Sequence, residues 1–311
     1  MRFVMVGSGA VGGYFGAALQ QAGHEVVFVG RGAHLRALRE QGLTVICEQA
    51  ESHLPVVQAT DDISGIGAAD YVLISVKTWQ VEDVARQLPA LAGAETRFLT
   101  LQNGVEAPGS VAAAVGAERT LGGLVRGFFE LDAPGIVRHV GVRPTIIFGP
   151  IGGAAGMPEH RLFDLLTQAG VYSELADDIQ AALWGKFLMV TALSGVGAVT
   201  RASIGEFRDY APTRQMLHDV MREIAQVARA RGVALADEIV ERTMQFVGSF
   251  PHETTTSMHR DILSGRPSEL EAQTGAVVRL GREAGVATPI NQTIYNSLIL
   301  QERRARGTMA G

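Results

Sequence analysis

The chain has 311 residues, 47% of them hydrophobic, enough sequence for about two domains that each bury a core. Its formal charge of −5, with no Lys/Arg stripe interleaved with aromatics, excludes a phosphate-tracking surface, so no nucleic-acid partner is expected. Cys47 is the only cysteine; it rules out an internal disulfide and fits a reducing compartment, and with a strand rather than an export signal at the start, the expected location is cytoplasmic.

Residues 2–6 form a short apolar run that predicts a strand, and Gly7-Ser8-Gly9-Ala10-Val11-Gly12 follows at once, with a helical pattern over 11–21. A strand, a glycine turn and a helix N-terminus in that order build an anion cradle. Gly7 permits the tight turn, Gly9 lets backbone approach a pyrophosphate, and Gly12 lets helix and strand pack closely. A lone glycine match is weak, but this context makes it a dinucleotide-binding signal. Residues 25–30 predict a second strand. NAD-selective sites place a carboxylate at its end to accept from the ribose hydroxyl. Here Arg31 stands there, and no carboxylate comes before Glu40. A forked guanidinium suits a phosphate dianion, so NADP(H) is expected; the plainer reading is a surface arginine capping the strand.

Further strands are predicted at 71–76, 97–102, 122–129, 135–140 and 144–148, and helices at 33–41, 81–91 and 158–169. This alternation predicts an α/β fold: an N-terminal Rossmann-type domain with a doubly wound parallel sheet, extended by antiparallel strands. Lys77 and Asn103 end two consecutive strands, where ligands of such sheets bind. After about residue 176 the strand signal nearly vanishes. Helices are predicted at 177–199, 211–231, 236–247, 256–263, 268–284 and 290–304, so an all-helical C-terminal domain follows. The expected domains are 1–176 and 177–311.

The apolar stretch 179–200 is broken by Gln180, Ser194 and three glycines, which favours a buried helix over a bilayer span, and no membrane partner is expected. Its only charged side chain is Lys186. A lysine is seldom buried without a reason. It could lay its stem on apolar surface and reach water, but a dinucleotide domain that moves hydride needs a proton donor from elsewhere in the chain. Ser257 and Asp261 are one helical turn apart. Ser268 with Glu271 reads as a capping box, making Glu269 the first residue of a helix, either a functional carboxylate or one placed there by the helix dipole. His252 and His259 lack companions that would complete a metal site, so no metal is expected.

These motifs together resemble the ketopantoate reductase (2-dehydropantoate 2-reductase) family across essentially the whole chain. The resemblance is carried by the glycine turn, Arg31, Val76-Lys77-Thr78-Trp79-Gln80, Gln102-Asn103-Gly104, Leu183-Trp184-Gly185-Lys186 and the segment from Ser257 to Glu269. It implies NADPH-dependent reduction of a 2-oxo acid, with a small-molecule substrate. Lys186 would be the general acid, and Glu269, the second catalytic residue, would support the substrate site. Ser257, Asn103 and Ser194 would face the substrate. Gly7, Gly9, Gly12, Arg31, Lys77 and Asn103 would face the cofactor. One departure stands out: the family's substrate-binding asparagines fall one and two turns after the lysine, where this chain has Val190 and Ser194. The reaction type therefore carries over better than the substrate. A dehydrogenase of 3-hydroxy-acid type and a non-catalytic NADPH sensor are the rival readings. The oligomeric state is left open, a homodimer being the candidate.

Overall fold

The computed structural model of the chain describes residues 1–48 and 50–308. Its contacts divide the chain into two units, Met1–Gln102 with Glu106–Ala182, and Asn103–Val105 with the chain from Leu183 on.

In the first unit the order is β1 (Arg2–Val6), α1 (Ala10–Gln21), β2 (Glu25–Val29), α2 (Gly32–Gln41), β3 (Leu43–Cys47), β4 (Ala50–Leu54), β5 (Gln58–Thr60), β6 (Tyr71–Ile74), α3 (Val81–Ala85), β7 (Arg97–Thr100), α4 (Ala107–Val115), β8 (Thr120–Ala133), β9 (Ile136–Pro150), α5 (Met157–Gln168) and β10 (Tyr172–Leu175). All ten strands join one mixed sheet, ordered β4-β3-β9-β8-β7-β6-β1-β2-β5 with β10 beside β9. From β5 to β8 every pairing is parallel. Strand alternation builds a core on each face. Phe3 and Met5 join Phe15 and Leu19 of α1 and Leu162 and Leu166 of α5. Val4 and Val6 join Val81 and Val84 of α3 and Val111 of α4.

The expected fold class holds, with local corrections. The strands predicted at 135–140 and 144–148 are one strand, β9. Between Phe128↔Val140 and Arg126↔Thr145 the register shifts, so residues 141–144 bulge opposite Gly127 instead of ending the strand. The predicted helix 81–91 stops at Ala85 and resumes as a 3-10 turn at Leu88–Leu91. Pro89 carries no N–H to extend the ladder. Strands β3, β4, β5 and β10 and helix α4 were not foreseen. β4 and β5 are short and largely exposed edge strands, without an apolar alternation to announce them.

The second unit takes up most of α6 (Ile179–Thr200), then α7 (Ile204–Asp209), α8 (Ala211–Ala230), α9 (Ile239–Gly248), α10 (Ser257–Leu263), α11 (Thr274–Glu283) and α12 (Pro289–Ala305). Its core joins Leu188, Ala192 and Val196 of α6 to Met221 and Ile224 of α8, Ala276 and Val277 of α11 and Ile294 of α12. By length and composition α6 could cross a membrane, but 67% of its apolar window is buried inside the protein. Helix α7 was missed although Ser203 and Glu206 form a reciprocal capping box, Ser203 N donating to Glu206 Oε2 at 2.7 Å. The capping box expected at Ser268 does not form: α11 begins at Thr274, and Ser268 is held instead by Glu302. Glu269 is thus a loop residue, not the first residue of a helix.

Candidate functional site

In the first unit, β1 delivers the chain into a turn pinned from two sides. Gly7 N and Ser8 N both donate to Val29 O, at 3.0 and 2.9 Å, and Ser75 Oγ donates to Gly7 O at 2.6 Å. Gly7 has φ +102°, and a Cβ on Gly12 would lie 2.1 Å from Gly7 O, so neither position tolerates a side chain. A Cβ on Gly9 would meet nothing within 4 Å. Gly9 is also the N-cap of α1 and offers no side-chain cap. The amides of that first turn are left to an outside acceptor, favoured by the helix dipole. Open space over Gly9 beside uncapped amides fits a dinucleotide pyrophosphate.

Arg31 is the N-cap residue of α2 and is exposed, and its guanidinium has no side-chain partner among the described residues. An unpaired, exposed fork at the end of β2 fits the additional phosphate of NADP. Sequence reasoning passed over His34, three residues on. Its Nδ1 accepts from Gly135 N at 3.0 Å, which leaves the proton on Nε2 to donate to Ser8 O at 2.7 Å. Burial lowers the pKa of His34 despite its bond to Ser8. Lys77 is exposed after β6, its ammonium 5.9 Å from the centre of the Trp79 ring. Gln102 Nε2 donates to Ile74 O at 2.9 Å and to Val76 O at 3.2 Å, tying the ends of β6 and β7 together.

The second unit brings three of the sequence-predicted residues into one chain of contacts. Lys186, half-buried on α6, donates from Nζ to Asn103 Oδ1 at 2.9 Å. Asn103 Nδ2 donates to Oε2 of the buried Glu269 at 3.4 Å, near the long limit for such a bond. Asn103 thus links an ammonium to a carboxylate through the two ends of its amide. Ser257 is exposed at the first position of α10. Ser194 is fully buried and donates to Thr256 Oγ1 at 2.8 Å, while Thr256 Oγ1 accepts from His259 N at 3.3 Å and caps α10. The hydroxyl of Ser194 is therefore spent on the helix that opens with Ser257. Val190, half-buried between Lys186 and Ser194 along α6, offers no hydrogen bond. Thr191 Oγ1, Thr274 Oγ1 and both amide atoms of Gln273 are buried without a hydrogen-bond partner among the described residues. His259 is buried, and desolvation, with Arg260 nearby, lowers its pKa.

Two family models match, ketopantoate reductase PanE/ApbA over residues 3–153 and its C-terminal counterpart over 178–302. The chain is 31% identical to a 2-dehydropantoate 2-reductase of Mesorhizobium japonicum, over 98% of both proteins. Among solved structures, a PanE/ApbA family ketopantoate reductase of Ralstonia eutropha superposes with TM-score 0.89 at 30% identity, covering 98% of this chain and 100% of that one. A D-mandelate dehydrogenase shares the fold at TM-score 0.89 and 22% identity, covering 98% and 99%. With both units matched in order and a glycine turn built to receive a dinucleotide, the chain belongs to the ketopantoate reductase family of oxidoreductases.

Proposed function

We propose that this protein reduces 2-dehydropantoate to pantoate with NADPH, in the cytoplasm, residues 1–176 forming the cofactor-binding domain and 177–311 the catalytic one. The observation that carries this reading is the contact chain Lys186–Asn103–Glu269. NADPH would be held through its pyrophosphate over Gly7, Gly9 and Gly12, with Arg31 at its extra phosphate and Lys77 and Asn103 beside it. Bound, it supplies a hydride to the carbonyl carbon.

The remaining chemistry belongs to side chains. Negative charge grows on the carbonyl oxygen as the carbon is reduced, and an ammonium aimed at that oxygen stabilises the charge and then transfers a proton. A donor so placed is worth about 3 kcal/mol or more of barrier. Lys186 Nζ is the donor, and its bond to Asn103 Oδ1 fixes the direction of the amine. Glu269, through the other end of the same amide, holds Asn103 in that orientation and keeps a carboxylate near the ammonium. Ser257, exposed at the start of α10, would meet the substrate carboxylate, and Ser194 supports it through Thr256.

A second reading keeps the reaction and changes the substrate. Val190 cannot pair with a hydroxyl, and the Ser194 hydroxyl is already engaged, so a 2-oxo acid without the terminal hydroxyl of ketopantoate would fit as well. The deciding experiment follows NADPH oxidation with ketopantoate and a panel of other 2-oxo acids, and with 3-hydroxy acids and NADP+ in reverse. Turnover of ketopantoate with the highest kcat/KM supports the first reading. Preference for another 2-oxo acid moves the assignment to the second, and NADPH binding without turnover of any of them defeats both. The proposed assembly is a homodimer, which sedimentation of the purified protein tests.

A further inference from the structure

Glu302 and Arg306, at the end of α12, take up every polar group of a residue that touches no proposed ligand. Ser268 is wholly buried. Its N–H donates to Glu302 Oε1 and Oε2, both at 3.1 Å, and its hydroxyl donates to Oε2 at 2.6 Å. Its carbonyl accepts from Arg306 Nη2 at 2.7 Å, and Arg306 Nε closes the ring on Glu302 Oε1. Ser268 Oγ also accepts from Leu270 N at 3.3 Å. A carboxylate 2% exposed is costly unless paired and hydrogen-bonded, and here it is bound by Ser268 and by the arginine one turn on. The next residue is Glu269. On its far side, Ala272 N and Gln273 N both donate to Glu269 O, at 3.1 and 2.9 Å. The backbone of Glu269 is thus anchored immediately before and after, in a loop with no helix to hold it.

We propose that Glu302 and Arg306 are positioning residues of the active site: by clamping Ser268 they set where the Glu269 carboxylate meets Asn103, and through Asn103 where Lys186 points. The inference rests on the roles given above to Lys186 and Glu269. A buried ion pair is a poor source of net stability but a strict constraint on geometry, which is what a carboxylate on a loop requires.

The molecule contains its own control. Glu223, also buried, caps the opposite end of α12, accepting from Ile290 N at 2.9 Å, Asn291 N at 3.0 Å and Asn291 Nδ2 at 2.7 Å. It makes no contact with Ser268 or Glu269 among the hydrogen bonds of that network. The test measures kcat, substrate KM, NADPH Kd and Tm for Glu302→Gln, Arg306→Ala, Arg306→Lys, Glu223→Gln and Glu269→Gln. Arg306 lies at the helix end and is partly exposed, so its variants stay measurable if Glu302→Gln folds poorly. The expected result is a loss of roughly tenfold or more in kcat/KM for Arg306→Ala and Glu302→Gln, with NADPH Kd within about twofold of wild type and partial recovery in Arg306→Lys. Glu223→Gln should lower Tm and leave kcat within about twofold. If kcat/KM falls equally in Glu223→Gln and Arg306→Ala at matched Tm, or in neither, the positioning role is overturned. If Glu269→Gln itself is fully active, the underlying assignment of Glu269 fails instead.

Discussion

Lys186 and Asn103 are 83 positions apart in sequence and 2.9 Å apart in space, ammonium to amide oxygen. Because the opposite end of the amide faces Glu269, only one orientation of Asn103 satisfies both neighbours: oxygen toward the cation, nitrogen toward the anion. Flipping it would set a donor against a donor and an acceptor against an acceptor. The amide therefore bridges a lysine and a glutamate, accepting from the one and donating to the other.

Lys186→Ala is expected to lower kcat by roughly a hundredfold or more while NADPH affinity stays near wild type, since the lost interaction belongs to the transition state. Asn103→Asp should also be slow, because it replaces the donor facing Glu269 with a second carboxylate. Steady-state kinetics with fluorescence titration of NADPH checks both. A Lys186→Ala enzyme within about threefold of wild type would remove this amine from the reaction.

The glycine turn separates folding from binding at two neighbouring positions. A methyl on Gly12 would sit 2.1 Å from Gly7 O and 2.5 Å from Ser75 Oγ, so Gly12→Ala should destabilise the first unit by about 1–3 kcal/mol or more, as overpacking does. A methyl on Gly9 meets no protein atom, so Gly9→Ala should keep its Tm and lose NADPH affinity. Thermal melts with and without NADPH distinguish them. Unchanged affinity in Gly9→Ala would mean that the pyrophosphate lies elsewhere.

Arg31 tests cofactor choice. Among the described residues its guanidinium has no side-chain partner to lose, so Arg31→Ala should leave stability alone. Removing a charge-assisted contact to a phosphate costs about 1.5–3 kcal/mol, so the preference for NADPH over NADH in kcat/KM should drop by roughly tenfold to a hundredfold. An undiminished preference would place the phosphate on other groups, Lys77 first among them.

The parts of the fold written in local pattern were legible in the sequence: β1 with its glycine turn, the apolar strands β6 and β7, and the long helices α6, α8 and α12. The parts that failed depend on partners distant in sequence. β9 reads as two strands because Gly141 and Pro144 signal a turn, and only pairing with β8 shows that they bulge. Ser268 and Glu271 match a capping box, yet Ser268 is claimed by Glu302 from 34 positions away, and the helix starts at Thr274. The site follows the same division. Lys186 stands out as the lone charge in an apolar helix, whereas His34 carries no local signal, since its partners Ser8 and Gly135 come from opposite directions along the chain. Ser194 shows a contact that its spacing on α6 does not announce: its hydroxyl donates to Thr256, 62 positions away.

Three histidines set an acid limit on stability. Burial lowers the pKa of His24, His34 and His259 below the ordinary value of about 6.5. The unfolded chain takes up these protons first, so between that value and the folded pKa it binds more protons than the native state. Stability should be level above about pH 6.5 and fall as pH drops below it, before the carboxylates titrate. Protonating His34 also removes the Nδ1 acceptor that holds Gly135 N. Urea midpoints measured across this window should show a shallower slope for His34→Gln than for wild type. Identical slopes would show that the His34 imidazole is as easily charged folded as unfolded.

Val190 tests how far the family's substrate extends to this chain. It is half-buried one turn beyond Lys186, on the stretch of α6 that continues to Ser194, where an amide could reach a substrate hydroxyl and an isopropyl group cannot. A site that leaves a hydroxyl unpaired gives up discrimination in its favour, because the desolvated group finds no partner. Val190→Asn should therefore raise kcat/KM for ketopantoate relative to its deoxy analogue by roughly tenfold, with Lys186 chemistry and NADPH affinity unchanged. Competition between the two substrates in one reaction measures that ratio directly. If Val190→Asn slows both equally, residue 190 faces packing rather than substrate, and the buried amide of Gln273, without a partner among the described residues, becomes the next position to change.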